Sequence, residues 1–174
     1  LYSSAASDVY KRQDFRLGND MVIAARRKYP KRIAGYIGIN PTFGDEGCIK
    51  EIRRCERRGL RHIKIHEFHG RPYDDPPYRR AYEYANEKGW AVLAHTWGDT
   101  ACLSLARMAK EYPRVTFLFA HSGCVGFDAY FRAVDAAPNI VFETALSNAP
   151  FGQVATLVRH AGADRVVFGS DIPF

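Results

Sequence analysis

The feature that most constrains this chain is a strict alternation, from Asp14 onward, of short apolar runs with amphipathic stretches of helical period. The apolar runs are IAGYIGI (33–39), HIKIH (62–66), WAVLAH (90–95), VTFLFAH (115–121), IVFETA (140–145) and RVVFGSD (165–171). Each is rich in β-branched or aromatic residues, as strands are. Residues 19–28, 46–58, 77–88, 100–111, 126–137 and 151–161 carry the helical patterns. Asn19 or Asp20 can cap the first helix, and Gly59, Gly89 and Gly162 stand where a helix must stop before the next strand.

Near-continuous apolar strands separated by helices imply parallel strands covered by helices. The strand ends at 66, 95 and 121 lie 29 and 26 residues apart, one strand–helix unit per step. An open doubly wound sheet and a (β/α)8 barrel both satisfy this spacing. No G-x-G-x-x-G or Walker pattern follows any of the strands, which disfavours a nucleotide-binding sheet. The expected fold is therefore α/β, a partial (β/α)8 TIM barrel of about six βα units with parallel strands.

Composition narrows the function classes. With 47% apolar residues among 174, the chain can bury one sizeable core. No apolar stretch approaches the ~18 residues of a membrane span, and no signal-peptide pattern opens the chain. The expectation is a soluble cytoplasmic protein with no membrane partner. Cys48, Cys55, Cys102 and Cys124 form no C-x-x-C pair, so they are expected as idle thiols in a reducing compartment. The net charge of +6 invites a nucleic-acid reading through RRKYPKR and KEIRRCERRGLRHIK. In the second run, however, Ile49, Ile52 and Cys55 recur at helical spacing, so the charges form the solvated face of a helix and no nucleic-acid partner is expected. Residues 1–13 lack periodicity, and DVYKRQ (8–13) looks like the translation of a transposase mosaic end used as a sequencing adaptor. They are set apart, leaving residues 14–174 as the barrel domain.

Three apolar runs end on residues that carry chemistry: His95, His121 and Asp171. Side chains alternate along a strand, so His95 is expected to point with Leu93 and Ala91, His121 with Phe119 and Phe117, and Asp171 with Gly169 and Val167. Lys64 and His66 share one face of HIKIH while Ile63 and Ile65 take the other. In a barrel the C-terminal ends of the strands form the active site. Two imidazoles and a carboxylate there suit a divalent metal that acidifies a bound water for attack on a carbonyl. Glu143 and Thr144 end their strand and can line the same pocket. Trp97, Tyr73 and Tyr78 follow strand ends in loops, where they can meet a planar acid or serve as packing. His62, His69 and His160 read as surface residues.

AHTW, FLFAHSG and ADRVVFGSDIPF, preceded by LRHIKIH, together resemble the amidohydrolase-related family of metal-dependent (β/α)8 enzymes, which includes aminocarboxymuconate-semialdehyde decarboxylase-like lyases. The resemblance runs from about Ile33 to Phe174. It implies that His95 binds the metal, zinc foremost, that His121 hydrogen-bonds the metal water or the substrate, and that Asp171 binds metal and handles the proton. It also places Lys64 and His66 against the substrate, and Trp97 joins them as a substrate contact from its own loop position. The family's opening H-x-H pair has no counterpart here, and the chain ends before the family's last helix. The expectation is thus a fragment, inactive by itself, of a metal-dependent hydrolase acting on a small carbonyl or carboxylate substrate. A decarboxylase of the same family, or a non-catalytic basic binding or assembly domain, are the alternatives, and a homo-oligomer is left open.

Overall fold

The structure, a computed structural model, describes residues 15–171. Residues 1–13, set apart above, lie outside that range. Its elements are α1 (Phe15–Lys28), β1 (Ile37–Gly38), α2 (Gly44–Glu56), β2 (Ile63–Ile65), α3 (Pro76–Lys88), β3 (Ala91–His95), α4 (Asp99–Glu111), β4 (Thr116–Ala120), α5 (Asp128–Ala136), β5 (Ile140–Glu143), α6 (Gln153–Ala161) and β6 (Val166–Val167). The six strands form one sheet in sequential order, every neighbouring pair parallel. Strand and helix alternate throughout, so the molecule is an arc of a (β/α)8 barrel, as expected. Among the described residues no helix is long and apolar enough to cross a membrane.

Helix ends follow the sequence signals except in α1, which spans Phe15–Lys28 and so holds Asn19 and Asp20 in its interior rather than at its cap. Helix α3 opens on Pro76 and Pro77 behind Asp75, where a missing N–H costs nothing. It closes on Gly89 in the left-handed region, with Gly89 N–H donating to the Asn86 carbonyl and Trp90 N–H to that of Ala85. Gly59 closes α2 through the same pair of bonds, to Glu56 and Cys55. The outer strands are shorter than their apolar runs: β1 and β6 have two residues each, against seven in IAGYIGI and RVVFGSD. An outer strand has ladder bonds on one side only, so its ends leave the regular pattern first.

Register sets the two faces of the sheet. Ile63, Val92, Phe117 and Ile140 stand in one row and Ile65, Ala94, Phe119 and Phe142 in the next, all fully buried beneath the helices. Tyr82 of α3 meets Phe117, and Tyr130 of α5 meets Phe119 and Phe142, ring centroids 5.7 to 6.5 Å apart. Each such buried ring contributes about 1.5–3 kcal/mol. The opposite row, Lys64, Leu93, Leu118 and Val141, is only half-buried and lines the concave side of the arc.

Candidate active site at the strand ends

One step beyond that concave row, at the C-terminal ends of the strands, register pairs His95 with Ala120 and Glu143 with Val167, and His66 directly follows β2. His66 and His95 stack with centroids 4.0 Å apart, and Phe68 and Trp97 extend the stack on either side at 4.6 and 5.8 Å. His121 meets the His95 ring edge-on at 4.6 Å. The structure thus brings Lys64, His66, His95, Trp97 and His121 to one end of the sheet. Asp171 closes the segment after β6 at that same end, with φ +47.

His121 does not follow simple alternation. Parity along β4 would send it with Phe117 and Phe119, toward the helices. Its backbone is instead left-handed, φ +64, which turns the ring back over the concave side to His95. A non-glycine residue there stores on the order of 1–2 kcal/mol of strain. The ring is fixed by a 2.6 Å hydrogen bond from Nδ1 to the Ala145 carbonyl. A carbonyl only accepts, so Nδ1 carries the hydrogen and the neutral ring has its lone pair at Nε2. His66 is held the opposite way: its Nδ1 accepts from Phe68 N–H at 3.2 Å, so the neutral ring carries its proton at Nε2.

Two carboxylates complete the surroundings. Glu67, directly after His66, sets Oε1 3.6 Å from His95 Nε2. Burial pushes its carboxyl above the usual range. Glu143 is also pushed up, burial outweighing the Ala145 and His121 backbone N–H bonds and the nearby His121 and Lys64 charges. Glu67 was not singled out from the sequence, although its place beside a strand-end histidine was a usable signal.

Other expectations are corrected. Tyr73 and Tyr78 are fully buried rather than open to a ligand. Tyr73 packs edge-on against Tyr78 and donates to the His95 carbonyl at 2.6 Å, which ties the strand end down. His62 is no free surface residue: with φ +66 it lies between Tyr36 and Trp90, and its Nδ1 accepts Ala91 N–H at 3.0 Å. The expected metal ligands fare differently again. Among the described residues no three His, Cys, Asp or Glu side chains are arranged to hold a metal ion, so His95 and Asp171 do not by themselves fit a closed metal centre.

Comparison with known proteins agrees with this geometry. The amidohydrolase family profile matches residues 4–174. No curated protein matches the chain. Among solved structures, an uncharacterised TIM-barrel protein of Bordetella bronchiseptica superposes with a TM-score of 0.73 at 19% identity, over 89% of this chain and 59% of its own. A 5-carboxyvanillate decarboxylase of Novosphingobium aromaticivorans, solved with manganese and 3-methoxy-4-hydroxy-5-nitrobenzoic acid, gives 0.73 at 16%, over 93% and 61%. A 4-oxalomesaconate hydratase of Rhodopseudomonas palustris gives 0.70 at 19%, over 91% and 56%. At these identities the likeness is one of fold, and the chain spans about six tenths of each relative's length. The family rests on the profile, which takes in every residue from the first helix to the last strand: this chain belongs to the amidohydrolase family.

Proposed function

We propose that the chain forms much of the active-site end of a metal-dependent enzyme that cleaves a small carboxylate substrate, with decarboxylation as the reaction. The observation that carries this reading is the gathering of three imidazoles, His66, His95 and His121, between the exposed rings of Phe68 and Trp97. The exposed rings of Phe68 and Trp97 at the two ends of the stack offer flat apolar faces on which a planar acid can lie, and stacking holds it in one orientation. Lys64 stands two residues before His66 on the same face of β2, where its charge attracts the substrate carboxylate. His121, with its lone pair at Nε2, takes and returns a proton at the substrate. His66, with its hydrogen at Nε2, donates to a substrate oxygen. Asp171 is the second proton-handling group. A divalent cation, zinc or manganese, with His95 and Asp171 among its ligands, would supply charge to polarise the carboxylate.

A second reading, hydrolysis by a bound water, was the first expectation from sequence, and it is favoured by the hydratase relative, whose reaction adds water. The two readings differ in product. The intact native protein, loaded with zinc or manganese, should release carbon dioxide from planar aromatic or unsaturated acids. His121→Asn should slow that release by at least about 10²-fold. Release of acid from amides, esters or lactones without carbon dioxide would overturn the decarboxylase reading in favour of the hydrolase.

A further inference from the structure

We infer that Glu143 is a positioning residue for His121: its carboxylate holds the left-handed turn at the end of β4 and so fixes which ring nitrogen of His121 carries the hydrogen. The inference rests on the proposed proton-handling role of His121 and deepens it. Glu143 Oε2 accepts His121 N–H at 3.3 Å, and Oε1 accepts Ala145 N–H at 3.0 Å. The Ala145 carbonyl then takes Nδ1–H of His121 at 2.6 Å. These three bonds close a ring: the backbone of residue 121, the Glu143 carboxylate, the backbone of residue 145, and the His121 imidazole. The main-chain carbonyl of Glu143 adds a fourth bond, from Ser122 N–H at 3.0 Å.

The clasp explains two features that otherwise stand alone. His121 occupies a strained backbone conformation, and strain of that kind persists only where the surroundings over-determine it. Gly169 runs directly against the carboxylate, for a β-carbon there would fall 1.1 Å from Glu143 Oε1. The acid is thus walled in on the side of the segment leading to Asp171.

Both carboxylate oxygens are acceptors, which makes the side chain hard to replace. Glutamine offers one oxygen and sets an NH2 group against one of the two backbone N–H donors. Aspartate keeps the charge but is one methylene short. In either variant the Ala145 carbonyl loses its fixed place beside Nδ1, and the imidazole is released to mix its two neutral tautomers.

The test reads the tautomer directly. In the 15N-labelled chain, long-range imidazole correlations should show His121 protonated at Nδ1 alone, at a pH where the ring is neutral. Glu143→Gln and Glu143→Asp, each checked for a cooperative melt, should show a mixture at His121 while His62 keeps its hydrogen at Nε2. A wild-type His121 protonated at Nε2, or a folded variant that keeps the pure Nδ1–H form, would overturn the inference. In the intact protein Glu143→Asp should lower kcat about 10- to 100-fold with KM little changed. A shifted tautomer with unchanged kcat would leave the clasp standing but sink the catalytic role of His121, which separates the two failures.

Discussion

At the scale of single residues, three non-glycine positions among the described residues, His62, His121 and Asp171, adopt left-handed backbone, and two of them are histidines that do opposite jobs. His121 uses the turn to reach the concave side; His62 uses it to press its ring against the start of β3. Burial, with Arg61 nearby, holds the His62 imidazole below its usual pKa. The folded state therefore resists protonation there, and stability is lost as pH falls below the ordinary histidine value toward the lowered one. Glu67 and Glu143, with raised values, act in the opposite sense: what they contribute fades as pH rises through the raised values. A difference measurement isolates the histidine. Asparagine tolerates the left-handed turn and can still accept Ala91 N–H. His62→Asn should melt lower than wild type by a constant margin above pH 7.5, from the lost contacts with Tyr36 and Trp90, and that margin should shrink on acidification toward pH 5 as the wild type loses stability. Parallel curves across that range would show that His62 does not titrate differently on folding. None of this was legible from sequence, since a lone histidine before a strand gives no sign of its φ. The strand-end positions of His66, His95 and His121 were legible, because apolar runs that stop on an imidazole mark the end of a strand whichever way the last residue turns.

At the scale of elements, the boundaries of α2 and α3 were readable where they depend on local chemistry, such as the prolines opening α3 and the glycines closing both, whereas the start of α1 was not. The limits of β1 were not, because an outer strand's length depends on what covers its edge. Ile37 N–H bonds to the His62 carbonyl and Ile39 N–H to that of Lys64, so the N–H and carbonyl of Gly38 point away from β2. The side chain of Asn19, on α1, meets them: Oδ1 accepts Gly38 N–H at 2.8 Å and Nδ2 donates to Gly38 O at 2.9 Å. One amide thus makes both bonds of a neighbouring strand. Nδ2 also donates to Glu51 at 2.9 Å, and Glu51 is paired with Arg54. The sequence reading had Asn19 only as a helix cap. Asn19→Ala leaves these groups buried without partners and should cost about 1–3 kcal/mol. It also bares a strand edge, so sedimentation velocity should show more self-association than in wild type. An unchanged melting temperature and unchanged sedimentation would show that the edge does not need the plug.

At the scale of the whole molecule, the two ends of the sheet differ in character. Each strand is followed by a large exposed apolar side chain: Phe43, Phe68, Trp97, Val125, Phe151 and Phe168. The opposite end gathers the two basic runs, of which the second alone reads from sequence as the solvated face of a helix. Residues 26–36 and 57–62 hold eight Arg and Lys and no Asp or Glu, more positive charge than the chain's net +6. The fold joins them, since Arg61 N–H bonds to the Gly35 carbonyl and the Arg26 guanidinium lies where a β-carbon on Gly59 would fall. Two opposing effects act on this cluster. Cations at the C-terminal ends of α1 and α2 interact favourably with the helix dipoles, about 0.3–1 kcal/mol each within the last turn. Like charges about 10 Å apart repel by roughly 0.4 kcal/mol per pair before screening. Lys31, Arg32 and Arg61 sit in the loops beyond the helix ends, so they add to the pairs without sharing fully in the dipole term. Repulsion should therefore prevail, and it is a term that salt removes, as the screening length falls from about 30 Å at 0.01 M to about 8 Å at 0.15 M. The melting temperature should rise over that range of sodium chloride, and Arg57→Gln with Arg58→Gln should raise it at low salt while flattening the rise. A melting temperature that falls with salt would mean the helix-end attractions outweigh the repulsion.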